Sequence, residues 1–187
     1  MEELKAYTGR MKAAVLEGIK KIVIRKDVRE PAIGPKDVLV RSRACGICGT
    51  DVHIWEGEFF PTFPLIPGHE LAGEVVEVGK DVTELKAGDK VMVDPTVTCE
   101  ECHFCMTQRQ NHCLAWNAVG VTRDGGFAEL VRVPAKNCYK FDRVSFSEGA
   151  FTEPKAMELA RCCLCKRSSG LLCPLDAAAA RKNPMKP

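Results

Sequence analysis

No stretch of the 187-residue chain approaches the roughly 20 consecutive apolar residues that a membrane helix needs, so no membrane partner is expected. The first ten residues, MEELKAYTGR, lack the apolar run of a secretory signal, and a cytoplasmic location is the expectation. A surplus of positive charge is also missing: 27 Lys and Arg stand against 25 Asp and Glu. The small excess sits at the end, where residues 156–187 carry about +4 and leave the body near −2, with no basic footprint for nucleic acid. No internal repeat is present. No G-x-G-x-x-G occurs anywhere, so the phosphate-cradling turn of a dinucleotide-binding fold is not to be found in this sequence.

Cysteine, by contrast, is abundant, with eleven residues. In a chain without an export signal these argue against a disulfide scaffold and for metal or thiolate chemistry. The length allows one good-sized domain with an ample core. From Met11 onward, alternating and β-branched runs read as strands: KAAVLE, KIVIRKD, DVLVRSRA, LAGEVVEVG, DKVMVD and GFAELVRVP, separated by Gly, Pro and Asp turns. Short strands without alternating long helices predict an antiparallel, barrel-like β domain with a few short helices. Residues 147–166 change character, with Ser147 as a candidate N-cap and helical spacing interrupted by Pro154. Beyond them, SSGLLCPLDAAAARKNPMKP has no convincing period and is expected to be poorly ordered.

The segment CEECHFCMTQRQNHC supplies Cys99, Cys102, Cys105 and Cys113 as C-x2-C-x2-C-x7-C. Two-residue gaps let successive thiolates converge on one tetrahedral ion, and four sulfur ligands leave no open position, which suits a structural zinc. Four reduced core cysteines would not sit beside Glu100, Glu101, Gln108, Arg109 and Gln110. An iron–sulfur cluster is also compatible with four cysteines. His103 and His112 are expected to be exposed. A nucleic-acid knuckle is disfavoured because the loop carries no Lys.

A second group lies upstream, in ACGICGTDVHIWEG and PLIPGHELAGEV. A catalytic zinc takes about three protein ligands and keeps one position open. Cys48 and His69 are natural candidates, with Gly68 allowing close backbone approach and Glu70 adjacent.

GICGTDVH, PGHELAGEVVEVG, AGDKV, the four-cysteine segment, DGGFAEL and FTEP follow one another in the order found in the zinc-dependent medium-chain alcohol and polyol dehydrogenases. Over residues 11–155 the chain resembles the N-terminal GroES-like catalytic domain of that family, in its sorbitol, threonine and butanediol dehydrogenase branch. The resemblance implies a partly open β-barrel with a structural zinc lobe at 94–117. It also implies a catalytic zinc held by Cys48 and His69, with Glu70 joining directly or supporting from behind and Glu153 approaching directly or through water. Cys45 is then a small buried residue and not a ligand. Thr50 would accept the substrate hydroxyl's hydrogen bond and His53 would relay the proton. Thr50 could equally cap the helix, His53 could be solvated, and Asp51 would complement the helix dipole. Trp55, Phe59 and Phe60 either line an alcohol pocket or simply pack. The implied cofactors are one catalytic and one structural Zn and NAD(P), with a small alcohol or polyol as substrate and a homo-oligomer as the usual assembly.

Residues 1–10 then form an extension, and 156–187 an atypical tail where the family has a nucleotide-binding Rossmann domain. The loss of pattern after FTEP suggests a truncated or frame-shifted end, and a chain that is inactive alone. A third metal site from Cys162, Cys163, Cys165 and Cys173 has no recognisable spacing. Alternatively, the chain is a non-catalytic zinc-binding domain.

Overall fold

Alternating apolar residues and turn signals produce a chain of short elements, which the computed structural model describes for residues 9–59 and 62–156. In chain order these are β1 (Arg10–Gly18), β2 (Lys21–Arg29), β3 (Asp37–Gly46), α1 (Gly49–Glu56), β4 (Glu70–Val78), β5 (Lys90–Val93), β6 (Thr96–Val97), α2 (His103–Met106), β7 (Asn117–Ala118), β8 (Leu130–Pro134), β9 (Cys138–Lys140) and α3 (Phe146–Ala150). The chain separates into two compact units, Met1–Phe151 and Thr152–Pro187. In the second, residues 152–156 are helical. The expectations for the tail and for Cys162, Cys163, Cys165 and Cys173 fall outside the described residues.

The main sheet has the order β8-β3-β4-β5-β9, antiparallel throughout. Its valines explain this choice: Val38 and Val40 of β3, Val75 of β4, Val91 and Val93 of β5, and Val131 and Val133 of β8 meet in one buried cluster with Leu71. Branched side chains pack well on a pleated surface, and each fully buried one contributes about 1.5–3 kcal/mol. The β1–β2 hairpin packs through Met11, Ala13 and Val15 against Ile66 and Ala128. A third cluster of Leu16, Ile54, Leu65, Ala118 and Val121 fastens α1 to the body, since Ile54 is completely buried.

At the end of the first unit, the helix is capped two residues earlier than expected. Ser145 is the N-cap of α3 and Ser147 lies inside the helix. The Ser145 side chain accepts from Glu148 N at 3.3 Å, while Glu148 Oε2 accepts from Ser145 N at 2.8 Å. This reciprocal pair in S-F-S-E satisfies two orphan donors at once, which a cap at Ser147 could not do.

Candidate metal centre

The two segments that carry the predicted ligands are joined by one buried carboxylate. Cys48 occupies the N-cap of α1, and Asp51, three residues on, turns back so that its Oδ2 accepts from Cys48 N at 2.8 Å. Its other oxygen, Oδ1, accepts from Gly68 N at 3.2 Å. Asp51 is only 7% exposed. The dipole role expected for it is therefore incomplete: it ties the Cys48 turn to the residue before His69.

Gly68 adopts φ 96°, in the left-handed region that disfavours side chains. A Cβ there would stand 2.6 Å from Phe127 and 2.9 Å from the Cys45 sulfur. The neighbouring backbone comes this close because 125–127 pairs with 66–68: Gly125 N donates to Ile66 O at 2.8 Å, Gly126 N to Gly68 O at 2.7 Å, and Phe127 N to Pro67 O at 3.0 Å. The motif DGGF thus serves as the main-chain partner of PLIPGH. On the far side, Gly46 of β3 lies opposite Glu70 of β4, and the Glu70 carboxylate occupies the space a Cβ on Gly46 would take.

The outcome is convergence. One ligand atom each from Cys48, His69 and Glu70 lies within 4.8 Å of the others. His69 is 5% exposed, and its Nδ1 is buried without a hydrogen-bond partner. The nearest Asp51 oxygen, at 3.7 Å, makes an electrostatic contact too long for a hydrogen bond. Burial works against charge on His69, but Asp51 and Cys48 outweigh it and raise its pKa to about 9. A pocket whose field holds a proton so firmly also favours a metal cation, and a thiol, an imidazole and a carboxylate form a donor set that suits zinc. The residues therefore fit such an ion.

Cys45 stays outside this group. It is half-buried rather than buried, its sulfur packs beside Gly68 and Gly126, and burial, with Asp51 and Glu70, pushes its thiol up to about 12. Thr50 places its Oγ1 3.7 Å from the Cys48 sulfur. His53 is exposed, with Nδ1 2.7 Å from Glu58 Oε2. Trp55 packs in the third core cluster under the Lys20 ammonium at 5.8 Å, so it serves as structure. Phe59 is exposed, and Phe60 lies outside the described residues. Glu153 belongs to the second unit.

The four-cysteine segment closes on itself as the spacing predicted. The sulfurs of Cys99, Cys102, Cys105 and Cys113 lie within 4.8 Å of one another, with Cys102–Cys105 at 3.6 Å and Cys99–Cys113 at 3.5 Å. All four are free thiols. Main-chain N–H groups of Leu114 and Cys105 draw the Cys102 thiol down, and Cys99 N, 3.4 Å from the Cys113 sulfur, does the same for Cys113. Burial pushes Cys105 the other way. Amide donors that favour thiolates prepare a metal site, because only the thiolate ligates. The β6–β7 pair closes the base of the lobe, where Asn137 Nδ2 donates to Asp94 O at 2.9 Å and Thr96 O at 2.8 Å. His103 and His112 are exposed.

An antiparallel β domain bearing a closed four-sulfur cluster and a separate thiol–imidazole–carboxylate group around a buried histidine defines a metal-binding class of protein. Residues 34–143 match the alcohol dehydrogenase GroES-like domain, and the chain belongs to that family. It is 46% identical to the L-threonine 3-dehydrogenase of Streptomyces avermitilis over 133 residues, 69% of this chain and 39% of that protein. It is 41% identical to D-arabinitol dehydrogenase 1 of Uromyces fabae over 132 residues, 71% of this chain and 37% of that one. Among solved structures it is similar to a Sinorhizobium meliloti protein assigned as a zinc-binding dehydrogenase and bound to NADP. The TM-score there is 0.77 at 43% identity, covering 81% of this chain and 44% of that one. The chain thus spans about two-fifths of the length of the curated relatives it matches. Among the described residues, no helix is long and apolar enough to cross a membrane.

Proposed function

We propose that this chain, over residues 11–155, is the metal-carrying catalytic part of a zinc-dependent alcohol or polyol dehydrogenase that uses NAD(P). The single observation behind this reading is the convergence of half-buried Cys48 and Glu70 on buried His69, whose Nδ1 is left without a hydrogen-bond partner. These three residues would hold the catalytic zinc, and Cys99, Cys102, Cys105 and Cys113 the structural one. A zinc ion held in the first site would supply a Lewis acid for an alcohol oxygen. The oxidation of an alcohol by NAD(P)⁺ releases a hydride to the nicotinamide and a proton to the medium.

Two of the chain's own residues would carry the proton. The Thr50 hydroxyl, 3.7 Å from the Cys48 sulfur, would accept the hydrogen bond of a substrate hydroxyl. His53 faces solvent with Glu58 against its Nδ1, and an imidazole that can both accept and donate a proton would pass it outward. Buried Asp51 keeps the Cys48 turn and the His69 segment in register.

Metal analysis of the full chain is expected to return two zinc ions, and Cys48→Ser should bring this to one. Retention of both ions by Cys48→Ser would refute the ligand assignment. A second reading, a zinc-binding domain that does not turn over by itself, is favoured by the absence of any G-x-G-x-x-G. Calorimetric titration with NAD⁺ separates the two: no binding supports the second reading for the isolated chain, and micromolar binding supports the first.

A further inference from the structure

Away from the metal centre, a concavity of about 600 Å³ opens between the end of β2, the 62–65 and 122–124 loops and β8. That size suits a small ligand. None of its lining residues belongs to either metal group. Three arginines, Arg29, Arg123 and Arg132, face it, and Pro31, Leu65 and Leu130 contribute apolar wall.

The Arg123 guanidinium has acidic neighbours but no bonded one. It is half-buried and makes no hydrogen bond or ion pair among the described residues. Burial and the nearby Arg132 lower its pKa, while Asp37 and Asp124 act in the opposite direction. Both acids are already engaged by the main chain: Asp124 Oδ1 accepts from Ile66 N at 3.0 Å, and Asp37 Oδ2 from Gly34 N at 3.0 Å. Asp37 also stands 3.7 Å from Arg132 Nε, whose Nη1 donates to Ala32 O at 3.3 Å. The remaining lining carboxylate, Glu30, is folded over Gly9. With both carboxylates turned to main-chain donors, the Arg123 guanidinium keeps its donors unpaired at the wall of the concavity beside Arg132, and the planar fork of arginine suits phosphate oxygens.

We propose that this pocket is a second binding site, for a phosphate monoester whose oxygens lie between Arg123 and Arg132 and whose apolar part rests on Pro31, Leu65 and Leu130. The site is independent of the metal centre and of the reaction proposed for it.

Phenyl phosphate is a suitable probe. Titrated into the zinc-loaded full chain at low salt and followed by amide chemical shifts, it should saturate one site, with shifts at 29–32, 62–65, 122–124 and 130–132. Arg123→Gln should weaken binding at least tenfold, Arg123→Lys less, and phenol should not bind. Because the Arg123 guanidinium makes no bond among the described residues, the glutamine variant should unfold at the same urea concentration as wild type, which separates lost binding from lost folding. Unchanged affinity in Arg123→Gln would overturn the proposal. So would equal binding of phenol, or shifts confined to 48–53 and 69–70 or to the basic residues after 156.

Discussion

Replacing Asp51 with Asn tests whether one carboxylate organises the metal centre. The native side chain accepts from Cys48 N at 2.8 Å and from Gly68 N at 3.2 Å while 7% exposed. Asparagine has a single carbonyl oxygen, so it can satisfy one of these donors and must turn its NH₂ toward the other. A buried donor left without an acceptor costs about 1–3 kcal/mol, and loss of the charge adds to this, so destabilisation of about 2–3 kcal/mol is expected. Zinc affinity at the Cys48 site should fall about 10–100-fold, as is usual when support behind a ligand is lost. Competition with a chromophoric chelator would read this as one weakened ion of two, with the four-cysteine ion unchanged. If Asp51→Asn holds both ions as wild type does and unfolds at the same urea concentration, the carboxylate bridge has no organising role. His69 provides a pH test in the metal-stripped chain. Its folded pKa of about 9 lies above the unfolded value near 6.5, so its contribution is complete below pH 6.5 and is lost as pH rises through 9. At most about 3 kcal/mol should disappear over that window, and the loss should be absent in His69→Asn.

Other perturbations probe separate parts of the chain. Gly68→Ala puts a Cβ 2.6 Å from the Phe127 ring in a left-handed conformation; about 1–3 kcal/mol of destabilisation and reduced zinc content at the Cys48 site are expected, by urea unfolding and metal analysis. Cys102→Ser removes one of four converging sulfurs, so one zinc should be lost and the lobe should become sensitive to proteolysis, with the main sheet intact by circular dichroism. Ser145→Ala removes the cap of α3 and should cost about 1 kcal/mol in urea unfolding, whereas Ser147→Ala should cost far less.

Elements with a repeating signal were legible before any coordinates. The six longer strands carry period-two alternation, and C-x2-C-x2-C-x7-C brings its sulfurs together because short gaps leave them little freedom to diverge. β6, β7 and β9 escaped detection because two or three residues contain no period. The α3 cap was misplaced because Ser145 and Ser147 both precede a helical pattern, and only Ser145 has an acidic partner three residues on.

By itself, the sequence determined the antiparallel β class, the four-sulfur cluster and the absence of a glycine-rich dinucleotide turn, since all three are encoded in local spacing. The tertiary structure decided what depends on distant backbone: that Asp51 holds the Cys48 and His69 segments together, that DGGF packs against PLIPG, and that Trp55 serves the core. It also decided that Arg123 and Arg132 face one pocket. Such meetings have no period to read, because side chains far apart along the chain become neighbours only after the sheet has closed around its valine core.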